Sequence, residues 1–152
     1  MGDDEVFLDT SGLVALVNAD DRSHQEVQVL SLELLEKPRA RLITTYAVLI
    51  ETAELLRSRL LKKGAGWSQI INAIVEARDF ALTWRENRRA EILPIGEALW
   101  LEALDLMASR TDKDWGLTDC ISFVVMRERR ILSALTSDKH FEQAGFRALL
   151  RG

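Results

Sequence analysis

Four acidic residues stand where this chain passes from one structural element to the next: Asp9 in FLDTSGLVAL, Glu51 in IETAELL, Asp119 in WGLTDCISFVV and Asp138 in ALTSDKHF. Carboxylates brought to one place repel and are partly protonated unless a cation joins them. A set made only of oxygen suits a hard divalent ion, Mg²⁺ or Mn²⁺, better than zinc, which favours His and Cys. An ion held this way lowers the pKa of water and takes up charge on a phosphate. Phosphodiester hydrolysis is the simplest chemistry such a quartet serves.

The elements that must position these residues are readable in outline. VFLD, ARLITT, AEILPI and ILSALT are apolar runs of strand length, and FRALL is a candidate fifth strand. Pro94 in AEILPI places that strand at a sheet edge or at its own end. Helices lie between the strands. The first follows Asp9 with Thr10 or Ser11 as its cap, and Ser23 with Glu26 forms the pattern of a capping box opening the second. Lys37-Pro38 ends the second, because the residue before proline is pushed out of helical geometry. Thr45 caps a long helix to Lys63, with Gly64 as its stop. A further helix spans Ser68 to Trp84, with Ile70, Ile71, Ile74 and Val75 on its apolar side. Another runs from Glu97 to Arg110, with Leu99, Trp100, Ala103, Leu106 and Met107 along one side. The last starts at Asp119, capped by Thr118, and reaches Arg130.

Strands alternating with helices predict an α/β fold with a central parallel sheet of four to five strands, right-handed crossovers and helices on both faces. In such a sheet the strand ends and the helix starts that follow them share one edge, where ligands bind. Asp9, Asp119 and Asp138 come to that edge directly. Glu51 lies in the second turn of its helix and reaches back only because helical side chains lean toward the N-terminus. Each residue also has an ordinary reading: Asp119 complementing a helix dipole, Asp138 in a turn, Glu51 on a solvated face. Asp9 resists it, since an acid ending an apolar strand is costly to bury unless paired or metal-bound. The two histidines, His24 and His140, form no pair with metal-ligand spacing; His24 reads as a surface helix residue, and His140 is near enough to Asp138 to touch a substrate.

The 152 residues suit one domain, Met1 to Gly152, and no linker or repeat divides them. The lone Cys120 rules out an internal disulfide framework, suits a reducing compartment, and reads as a small buried hydrophobe. No apolar run is long enough for a membrane span, the start MGDDEVFL is acidic where a secretory signal is basic, and Val6 breaks the myristoylation pattern. The expectation is a cytoplasmic protein. The formal charge of −4 is unusual for a nucleic-acid enzyme, but the four carboxylates account for all of it. Between Arg57 and Arg89 lie eight basic residues against three acidic ones, with Trp67 and Trp84 among them. Such a segment tracks a phosphate backbone and stacks bases, or is a solvated face with two core tryptophans.

FLDTSGLVAL, IET within a helix, WGLTDCISFVVM and ALTSDKHFEQAGF resemble, in order and spacing, the PIN-domain ribonucleases. The resemblance is greatest to type II toxins of the VapC class and spans nearly the whole chain. It implies a three-layer α/β/α fold, an Mg²⁺- or Mn²⁺-dependent endoribonuclease, an RNA substrate, neutralisation by a cognate antitoxin and a homodimer. Carried over by residue, the catalytic and metal-holding acids are Asp9, Glu51, Asp119 and Asp138. Thr10, Ser11 and Thr136 fall at positions that support the metal or its waters, and Asp114 stands near enough to extend the site. Asp9, Asp119 and Asp138 would hold one ion, with Glu51 orienting a water or a second ion, and cleavage would leave a 5′-phosphate and a 3′-hydroxyl. The stretch between Glu51 and Asp119 departs in length from the family. A PIN-like scaffold that binds RNA or a partner without cutting is the alternative. A haloacid-dehalogenase-type phosphatase needs an acid where Ser11 stands, and a receiver domain needs a phosphoacceptor that ITTY lacks.

Overall fold

Asp4 to Arg151 are described in a computed structural model of the chain, and the extreme acidic start, Met1–Asp3, lies outside the described residues. The elements run β1 (Glu5–Leu8), α1 (Thr10–Val17), α2 (His24–Glu36), β2 (Arg41–Thr45), α3 (Tyr46–Lys62), α4 (Trp67–Glu86), β3 (Ala90–Leu93), α5 (Glu97–Ser109), α6 (Leu117–Arg129), β4 (Ser133–Leu135), α7 (Lys139–Gln143) and β5 (Arg147–Ala148). The five strands form one sheet in the order β3-β2-β1-β4-β5. Every pairing is parallel, with Phe7 opposite both Ile43 and Ala134.

Alternation along β1 explains the layering. Val6 and Leu8 point to one face, where they pack with Leu13, Val27, Leu56, Ala77 and Trp84 from α1 to α4. Phe7 points to the other, where Ala103, Trp115, Phe123, Met126 and Phe141 close a second core. The result is the expected α/β/α sandwich. Cys120 through Met126 are buried in unbroken succession, because α6 lies between the sheet and α5. Its far end is tied down at the amino edge of the sheet, where Arg129 reaches Glu5 at 2.7 Å and Glu91 at 2.8 Å.

Most element boundaries fall where local chemistry put them. α2 stops before Lys37-Pro38, Thr45 accepts a hydrogen bond from the Val48 N–H at 3.2 Å, and Gly64 takes φ +80° after α3. β3 is an edge strand, ended before Pro94. Three caps differ. Asp9, not Thr10 or Ser11, holds the N-cap position of α1, and Gly116, not Thr118, that of α6. Ser23 is at the N-cap of α2 without a side-chain cap bond, because Asp21 instead accepts the Ser23 N–H at 2.9 Å. The short α7 was not expected.

α1 crosses β4 at very close range. A Cβ on Gly12 would sit 2.2 Å from the Leu135 carbonyl oxygen, so glycine is required there. The basic segment divides. Trp84 is core, while Trp67 is 59% exposed. Arg59 and Lys63 pair with Asp21 and Asp20, and Arg78 with Asp79. Arg89 is structural: its guanidinium donates to the carbonyls of Ala40, Leu34, Lys37 and Leu35, clasping the turn between α2 and β2. The apolar sides of α4 and α5 are narrower than their patterns imply, since Ile71, Trp100 and Met107 are exposed.

Candidate active site

Asp9 leaves β1 in extended conformation, and its side chain makes no cap bond to α1, which frees the carboxylate for the sheet edge. It is 3% exposed. The Thr136 hydroxyl donates to Oδ2 at 2.7 Å and the Ser11 hydroxyl at 3.2 Å. Those two hydroxyls also receive the turn that follows β4: the Asp138 N–H donates to Thr136 Oγ1 and the Ser137 N–H to Ser11 Oγ, both at 3.0 Å. Asp9 and the turn carrying Asp138 are thereby stapled through one pair of oxygens.

Burial raises the Asp9 carboxyl to about pH 7. Hydrogen bonds from Thr136 and the Thr10 N–H pull it down, and the charges of Asp119 and Asp138 push it further up. Asp119 lies in the first turn of α6, where its Oδ2 accepts the Gly116 N–H at 3.2 Å. Its pKa is also raised, by burial first and by Asp138 second. Asp138 caps α7, accepting the His140 N–H at 2.9 Å.

His140 occupies the middle of this group. Its Nδ1 lies 3.0 Å from Asp119 Oδ2 and 3.2 Å from Asp138 Oδ1, and Nε2 lies 3.1 Å from Asp114 Oδ1. Partial burial lowers its pKa, but Asp138, Asp119 and Asp114 outweigh that and hold it above the ordinary imidazole value. In the linear chain His140 has no partner at metal-ligand spacing. The fold supplies two from other elements, and the signal available was its place two residues after Asp138 in an Asx-type turn. His24 is half-buried and lies 2.6 Å from the Ala15 carbonyl, joining α2 to α1.

Glu51 is half-buried in α3 and makes no hydrogen bond or ion pair among the described residues. It stands outside the group formed by Asp119, Asp138 and His140, whose ligand atoms all lie within 4.8 Å of one another. Asp9 stands outside that group too, but feels the charge of both its acids. The arrangement fits a divalent cation on its own chemistry. Asp9, Asp119 and Asp138 repel one another, and burial pushes the Asp9 carboxyl to about 7. The Thr10 hydroxyl, next in the chain, is buried without a partner, as a group awaiting an ion's water would be.

The fold and this edge define a class. The PIN domain family model matches residues 6–147, and the chain belongs to the PIN-domain family. Among solved structures it is similar to the VapC20 toxin of Mycobacterium tuberculosis, described as cleaving the sarcin–ricin loop. The identity is 28% and the TM-score 0.75, with 93% of this chain and 95% of that one covered. No curated protein sequence gives a match. The resemblance of the sequence to VapC-class PIN ribonucleases is borne out. No helix among the described residues is long and apolar enough to cross a membrane.

Proposed function

We propose that the protein is a divalent-metal-dependent endoribonuclease, the toxin of a toxin–antitoxin pair, and that Asp9, Glu51, Asp119 and Asp138 are its catalytic residues. The observation that carries this is the approach of Asp9, Asp119 and Asp138 to one another at the carboxyl edge of a PIN-type sheet, with burial, and then the charges of Asp119 and Asp138, raising the Asp9 carboxyl to about 7. Asp119 and Asp138 offer the open carboxylate oxygens. Asp9 is held behind them by Thr136 and Ser11, which fix its orientation. Glu51, on α3, would orient the attacking water. Thr10 Oγ1 is free to hold a further water. Mg²⁺ or Mn²⁺, when bound, supplies charge to the scissile phosphate and lowers the pKa of that water.

The same reading includes a cognate antitoxin and a homodimer in the cytoplasm. The apolar groove lined by Leu32, Leu35, Phe80 and Trp84, and the exposed Trp100 and Leu101 of α5, are surfaces available for such contacts. The similar toxin acts on the sarcin–ricin loop, so that ribosomal RNA element is the first substrate to try.

Induction of the chain in cells, with mapping of new RNA 5′ ends, tests the proposal. Wild type should arrest growth and create discrete ends, while Asp9→Asn creates none. Purified protein should cut only with Mg²⁺ or Mn²⁺. Equal arrest by both forms, or undiminished cutting in excess chelator, would remove the nuclease claim.

A further inference from the structure

We infer that His140 is a nitrogen ligand of the cation, oriented by Asp114, and that it tilts this site toward Mn²⁺ over Mg²⁺. The inference rests on the reading that the acidic edge takes a divalent ion. Nδ1 is 3.0 Å from Asp119 Oδ2 and 3.2 Å from Asp138 Oδ1. Adjacent ligand atoms of an octahedral shell with bonds of ~2.1 Å are about 3.0 Å apart, so each of the two oxygens stands from Nδ1 at the spacing of a neighbouring position on one ion. The side chain is 16% exposed and its backbone is fixed in α7 by the Asp138 cap, so the ring is placed by the fold and not by chance.

The second nitrogen supplies the other half of the pattern. A metal-bound histidine usually donates its remaining N–H to a carboxylate, which sets the tautomer and raises ligand basicity. Asp114 Oδ1, 3.1 Å from Nε2, holds that position. With the Nε2 hydrogen given to Asp114, the Nδ1 lone pair is directed between Asp119 and Asp138. In that tautomer Nδ1 carries no hydrogen, so its lone pair would be available to the ion. Asp114 is therefore a positioning residue, and its own carboxylate is 81% exposed. Imidazole favours transition-metal ions over Mg²⁺, whereas carboxylates alone discriminate little.

Two measurements on the full chain decide the matter. Pulsed electron paramagnetic resonance of the Mn²⁺-loaded protein should show a directly coupled ¹⁴N, lost in His140→Gln. Calorimetric titration with Mn²⁺ and Mg²⁺ separately should show the Mn²⁺/Mg²⁺ affinity ratio falling at least about tenfold in His140→Gln, whose amide oxygen still serves Mg²⁺. Asp114→Asn should weaken Mn²⁺ by up to about tenfold, a loss of the size seen for outer-shell partners. A wild-type Mn²⁺ complex without ¹⁴N coupling, or an unchanged ratio in His140→Gln, overturns the inference while leaving the nuclease reading in place if RNA is still cut. Failure of wild type to bind either ion overturns both. The wild-type spectrum alone settles the ligand question should a variant not fold.

Discussion

Replacing Asp9 by asparagine should make the metal-free protein more stable while destroying its function. The Asp9 carboxyl is raised from 3.8 to about 7 in the folded chain, chiefly by burial. Below about pH 4 both folded and unfolded chains hold the proton, and the group costs nothing. Between pH 4 and 7 the unfolded chain ionises while the folded one does not, so stability falls as pH rises, by about 1.4 kcal/mol per unit. Above pH 7 the loss is complete. Three units give an upper figure of about 4 kcal/mol, and relaxation of the surrounding hydroxyls with water entry reduces this to about 2–4 kcal/mol. Asp119 and His140, both raised, act with the same sign, so the pH slope of Asp9→Asn is smaller but not zero. Asparagine keeps the volume, and Thr136 Oγ1 can accept from its amide as readily as it donates to the acid. The assay is thermal denaturation in chelator at pH 5 and pH 8. At pH 8 the variant should melt about 4–16 °C above wild type for a chain of this size, and at pH 5 the gap should shrink. Excess Mn²⁺ should then raise wild type and leave the variant where it is. A variant no more stable than wild type at pH 8 in chelator would refute the claim that Asp9 is a buried, uncompensated charge.

Two further substitutions test how the site is supported. Gly12→Ala puts a methyl group 2.2 Å from the Leu135 oxygen, so α1 must move off β4; a loss of about 1–3 kcal/mol is expected, together with weakened metal binding as Ser11 is drawn from Thr136. Unchanged melting would show that the helix rides over the strand more loosely than described. Arg89→Ala abandons the carbonyls at the end of α2, and urea denaturation should show a loss of about 1.5–3 kcal/mol. Arg89→Lys should recover little, because an ammonium cannot fork between several acceptors; full rescue by lysine would count against that account.

The layered architecture and the approach of Asp9, Asp119 and Asp138 to one another were legible because strand-ending acids and helix starts must share an edge in a parallel sheet. Asp9 was clearest, since nothing else accounts for a carboxylate closing VFLD. Thr45, Pro38 and Gly64 were readable for a different reason: capping, pre-proline and left-handed geometry act within a few residues. α7 was not readable, because KHFEQ is too short for a periodic pattern and is folded by the Asp138 cap and the burial of Phe141. His140 was read only as near enough to Asp138 to touch a substrate, without its contacts to Asp119 and Asp114. Its partners Asp119 and Asp114 come from α6 and the loop before it, separated from α7 by the whole of β4, and only the crossover brings them near. The faces of α4 and α5 were overread, because each packs along a narrow line that leaves Ile71 and Trp100 at the surface. Glu51 is placed in the second turn of α3 as its sequence position requires, without a hydrogen bond or ion pair among the described residues.

The first strand occupies the middle of the sheet, and one of its two neighbours is among the last to be made. Asp9 and the hydroxyl that holds it are 127 positions apart in the chain. A ribosome must therefore release nearly the entire polypeptide before that contact can close. By this arrangement the edge that carries Asp9 stays incomplete on the nascent chain and closes only once synthesis is over.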